Sequence, residues 1–65
     1  MAGPARPDVY IEFTIQGRFA KVTAIDSVTG QEASIIGPAT APRDTLAAAA
    51  ARKLQYILKK DAAPR

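Results

Sequence analysis

Few side chains in this sequence could do chemistry. The 65-residue chain has no cysteine and no histidine. That removes a thiolate nucleophile, a Cys-based zinc site and the commonest general base together. The acids do not converge: Glu12 and Asp26 fall on strand and turn positions, and Asp8, Asp26, Glu32 and Asp44 lack the spacing of a calcium loop. Gly30 and Gly37 stand alone rather than in a phosphate-cradling loop, and Ser27, Ser34 and the threonines are explained by turn, strand and cap roles. With no nucleophile–base pair, the expectation is a non-catalytic protein that needs no cofactor, metal or small-molecule substrate.

Two groups of residues remain that could meet a partner. Arg52, Lys53, Tyr56, Lys59 and Lys60 form a basic cluster around an aromatic ring. Residues 1–43 are electrically balanced, and the whole net charge of +3 lies in residues 44–65. A basic end with a tyrosine in it can contact phosphates and stack on a base, so nucleic acid is one candidate partner. The plain alternative is a solvated helix end, its cations favoured by the helix dipole and Tyr56 lying across a sheet edge. The chain lacks the aromatic pair of an RNA-recognition sheet and the basic N-terminal helical turn of a double-stranded-RNA domain. The second group is Tyr10, Phe19, Ile25 and Ile36, apolar residues at positions expected to face away from the core; these are the candidate protein interface.

Three strands must place that second group. Val9–Gln16 alternates strictly, with Val9, Ile11, Phe13 and Ile15 on one side and Tyr10, Glu12, Thr14 and Gln16 on the other. A Gly17-Arg18 hairpin turn pairs Ile15 with Ala20, Phe13 with Val22 and Ile11 with Ala24. A Gln16-Gly17 turn would instead pair Glu12 with Lys21, and both registers keep the same residues on the same face. The loop Ser27–Gly30, with Asp26 and Ser27 bonding back and Gly30 in a left-handed position, pairs Ala24 with Ala33 and Val22 with Ile35. Two independent turns thus agree on one buried face. Gly37-Pro38 ends the third strand.

A helix must place the basic group. Arg43–Ala63 holds no glycine or proline; Thr40 is the expected cap, Pro42 falls in the first turn and Asp44 sits at the positive end of the dipole. Leu46, Ala47, Ala50, Leu54, Ile57 and Leu58 form one stripe, with Arg52, Gln55, Tyr56 and Lys59 opposite and Lys53 and Lys60 on a flank. The expected core is Val9, Ile11, Phe13, Ile15, Val22, Ile35, Leu46, Leu54, Ile57 and Leu58. So small a core would gain from a second subunit.

The fold expected is α+β: a three-stranded antiparallel meander with one C-terminal helix on one face, in the order β-β-β-α. Residues 9–60 make the single domain, 1–8 a disordered tail and 61–65 a frayed end. No apolar leader precedes the strands, and the longest uncharged apolar run, Leu46–Ala51, is far short of a membrane span. A cytoplasmic protein without membrane contact is expected.

The chain resembles a group of short bacterial proteins of unknown function. The likeness is carried by Val9-Tyr10-Ile11-Glu12-Phe13, Lys21-Val22-Thr23-Ala24-Ile25-Asp26, Thr29-Gly30-Gln31-Glu32, Ile36-Gly37-Pro38 and Arg52 through Lys60. It covers roughly residues 9–60 and implies no catalytic residue, ligand or partner. The functional expectation is therefore an interaction module that forms a homo-oligomer or docks on a larger assembly. Nucleic-acid binding through the basic helix face is the alternative.

Overall fold

A glycine and an aspartate set the two turns from which the sheet follows. The computed structural model describes residues 9–62: strands β1 (Val9–Gln16), β2 (Phe19–Asp26) and β3 (Glu32–Pro38), then helix α1 (Arg43–Ala62). The strands form one antiparallel sheet in the order β1-β2-β3, with the helix packed against it. The tail expected at 1–8 lies outside the described residues. So does most of the frayed end expected at 61–65, although the helix backbone continues through Ala62.

Gly17 has φ 58°, while no non-glycine residue among those described has positive φ. A two-residue turn with positive φ at its first position only is type II′, and its twist matches that of the flanking strands. The turn is therefore Gly17-Arg18. Phe13 faces Val22, Ile11 faces Ala24, and Glu12 faces Thr23 rather than Lys21. At the second turn Gly30 takes φ 78° and donates its N–H to the Asp26 carbonyl at 2.8 Å. Asp26 Oδ2 accepts from the Thr29 N–H at 2.8 Å and from the Thr29 hydroxyl at 2.9 Å. Asp26 is only 8% exposed, so this carboxylate is a buried post around which the loop closes. Its pKa is lowered, first by the Thr29 backbone N–H and then by the Thr29 hydroxyl.

The helix begins two residues later than a cap at Thr40 would place it. Ala41 donates to the Pro38 carbonyl, closing a tight turn, and Pro42 offers its own carbonyl to the N–H groups of Thr45 and Leu46. Pro42, not Thr40, thus occupies the N-cap position, where a missing N–H costs nothing because no partner is due there. Leu46 then descends onto β3 above Gly37. A Cβ on Gly37 would stand 2.7 Å from Leu46 Cδ2, so a bare backbone is what lets the leucine seat there.

The core is small and rich in alanine. Ala20, Val22, Ala24, Ala33, Leu46, Ala50 and Leu54 are buried, and Leu54 and Val22 are the largest fully buried side chains. Ile11, Phe13, Ile35, Ile57 and Leu58 pack against this group while still partly exposed. Two residues expected inside are not: Val9 is 41% and Ile15 54% exposed. They point to the helix side of the sheet, but the helix packs chiefly on β2 and β3 and leaves much of β1 uncovered. On the opposite face Thr23 is buried and its Oγ1 lies 2.8 Å from Ser34 Oγ, tying the two strands by their side chains.

Two outcomes follow from this arrangement. In urea titrations Leu54→Ala should cost about 2–5 kcal/mol, as for a fully buried leucine, and Ile15→Ala well under half of that; equal losses would place Ile15 in the core. Because Asp26 has a lower pKa folded than unfolded, the unfolded chain binds more protons across that interval. Its contribution is complete above the unfolded value and fades as pH falls through the folded one. Acid titration of Asp26→Asn should therefore lose part of the wild-type stability slope below about pH 4, the ordinary aspartate range.

Candidate functional site

The sequence-predicted site residues fall on two separate surfaces, the outer sheet face and the solvent side of α1. On the outer face the register forms rows: Tyr10–Ile25–Glu32, Glu12–Thr23–Ser34, Thr14–Lys21–Ile36 and Gln16–Phe19–Pro38. Tyr10, Phe19 and Ile36 are well exposed, whereas Ile25 is half-buried. The four candidate interface residues do share this face but do not form one patch. Tyr10 and Ile25 stand at one end and Phe19 and Ile36 at the other, with the Glu12–Thr23–Ser34 row between them.

The basic cluster is divided as well. Arg52, Tyr56 and Lys59 line a shallow open hollow with Gln55 and Leu58, all from α1. Lys60 places its ammonium 5.9 Å from the centre of the Tyr56 ring, within cation–π range. Lys53 does not join them. Its Nζ turns toward the sheet and donates to the Ser34 carbonyl at 2.8 Å. Five expected contacts are thus four plus one committed to the sheet.

That commitment matters because Ser34 lies on an edge strand. The Asp26 N–H donates to the Gln31 carbonyl and the Ala39 N–H to the Arg18 carbonyl. Counting in steps of two along the register makes Ala24–Ala33, Val22–Ile35 and Ala20–Gly37 the hydrogen-bonded pairs. Glu32, Ser34 and Ile36 therefore aim their backbone groups outward, and Lys53 occupies the central carbonyl of that row. Edge lysines and prolines discourage further strand pairing, and β3 has Lys53 across it and Pro38 at its end.

The other edge differs. By the same alternation β2 presents Phe19, Lys21, Thr23 and Ile25 to β1, so Val9, Ile11, Phe13 and Ile15 of β1 aim their N–H and C=O groups outward. Strand β1 holds no lysine, arginine or proline, and its one charged residue, Glu12, faces the outer side. Above it the Arg43 guanidinium rests 4.5 Å from the centre of the Phe13 ring. Backbone groups directed outward and exposed aliphatic side chains coincide along β1. Sequence reasoning found the side chains but counted Val9 and Ile15 as core; the lack of any edge-blocking residue in Val9–Gln16 was the available signal.

Among the described residues no group of histidine, cysteine, aspartate or glutamate is arranged to hold a metal ion, and no helix is long and apolar enough to cross a membrane. The model of a family described as a domain of unknown function, DUF6898, matches residues 6–61. The chain belongs to that family. The match takes in all three strands and α1 almost to its end, so the sheet and its helix are the family's domain. No curated protein and no solved structure matches the chain. The family description carries no activity, which leaves the two surfaces and the β1 edge as the basis for a functional reading.

Replacing Lys53 by alanine should uncover the β3 edge. We expect Lys53→Ala to form species larger than those of the wild type at equal concentration, read by light scattering. An unchanged mass distribution would mean that the lysine does not guard the edge.

Proposed function

We propose that this member of the DUF6898 family is a small non-catalytic interaction module, acting by self-association or by docking on a larger assembly through its sheet. The observation that carries the reading is the number of large apolar side chains the single helix leaves in water. Val9 and Ile15 remain exposed on the helix side, and Tyr10, Phe19 and Ile36 on the outer side. In a chain whose fully buried large side chains are Leu54 and Val22, contact with another protein would add much to the buried apolar surface. A bacterial cytoplasm as its setting is part of the proposal. Sedimentation equilibrium tests it: mass should rise with concentration into the high micromolar range, and a strictly monomeric chain would sink the self-associating form.

A second reading, nucleic-acid binding, is favoured by the hollow on α1. Tyr56 is 64% exposed between Arg52 and Lys59, with Lys60 over its ring, a combination suited to a stacked base and flanking phosphates. Fluorescence anisotropy with RNA and DNA would report it as binding that weakens steeply with salt. Tyr56→Ala and Lys59→Ala should weaken it, and Lys53→Ala should weaken it least. No binding at low salt ends this reading.

A further inference from the structure

We propose that a second copy of this chain adds to the β1 edge, strand against strand and antiparallel, with the two-fold axis at Phe13. This rests on the self-association reading above and assigns it to one place, away from the outer-face residues. Three observations converge on β1. Its backbone groups at Val9, Ile11, Phe13 and Ile15 are directed outward with nothing paired to them among the described residues. Two of its helix-side residues, Val9 and Ile15, are exposed although they face the helix, since α1 lies over β2 and β3. The opposite edge is guarded by Lys53 and Pro38, while β1 has no such guard.

The sequence of β1 says why the occupant is another copy. Read outward from Phe13 in both directions, Ile11 matches Ile15 and Glu12 matches Thr14, while Tyr10 matches Gln16. Self-pairing about Phe13 therefore sets apolar against apolar on the helix side and, on the outer side, Glu12 against Thr14 and the Tyr10 ring against Gln16. A register centred one residue earlier would bring the two Glu12 carboxylates face to face; centring on Phe13 avoids this while pairing Tyr10 through Gln16. Phe13 would meet Phe13, and each Ile11 would meet Ile15 of the second copy. The product is a six-stranded sheet closed by a two-fold axis, with both β3 edges outermost. The two Arg43 side chains approach one another across that axis, a like-charge cost that salt screens, so association should tighten rather than weaken as salt rises.

Amide hydrogen exchange by NMR on the unmodified full chain, at several concentrations alongside sedimentation, tests the assignment. In the monomer the N–H groups of Ile11, Phe13 and Ile15 exchange freely; once about nine-tenths of the chain is paired they should slow roughly tenfold, while those of Ser34 and Ile36 do not. A dimer without this β1 protection overturns the inference and leaves self-association standing. A monomer throughout overturns both. A second readout uses the natural absence of cysteine: a hydrogen-bonded antiparallel pair stands about 5.5 Å apart at Cα, within disulfide range. Under mild oxidation Phe13→Cys should give a covalent dimer and Ile36→Cys should not; the reverse result moves the contact to the outer face. If Phe13→Cys fails to fold, the exchange data on the unmodified chain decide.

Discussion

One helix cannot cover three strands. An α-helix with its side chains is about 10 Å across, and neighbouring strands lie about 4.8 Å apart, so a single helix shields about two of them. Here the pair is β2 and β3, the strands nearest to α1 in the chain. The connection from Pro38 to Arg43 is short, and its tight turn sets the helix down beside the strand it has just left. The exposure of Val9 and Ile15, the half-burial of Ile11 and Phe13, and the placing of Arg43 over Phe13 all follow from that offset.

The same constraint accounts for the composition of the core. Alanines on β2, β3 and α1 let backbone approach backbone, and the bare Cα of Gly37 admits Leu46. Close approach replaces bulk as the source of contact, and it leaves little room for large side chains beyond Leu54 and Val22. Polar groups stiffen what the small core does not. Asp26 gathers the second loop through Thr29, and Thr23 and Ser34 join β2 to β3 across the outer face.

Much of this was legible in the amino acids, because turn chemistry and alternation are local. Gly17 and Gly30 mark the positions of positive φ, and the alternation of β1 names the residues on each face. What alternation cannot convey is whether anything lies over the face it defines. Val9 and Ile15 have the right side and the wrong burial for that reason. Lys53 looked like one more cation on a basic flank; its role depends on β3 being an edge with an outward carbonyl at Ser34, which emerges only when register and helix position are combined. Thr40 has good cap chemistry, but the turn closed by Ala41 and Pro38 delays the helix past it. Thr23 is polar in a position that alternation assigns to solvent, yet it occupies the central strand between Glu12 and Ser34, where neighbours on both sides exclude water.

The bond from Lys53 to the Ser34 carbonyl has a consequence for how far such sheets can grow. A unit with two open edges has a valence of two, and units of that kind join head to tail into fibres without limit. With β3 guarded, the proposed pairing at β1 gives this chain a valence of one. Under the proposed pairing growth ends once β1 is taken, and what separates a finite complex from an open polymer is one ammonium group and one proline at the β3 edge.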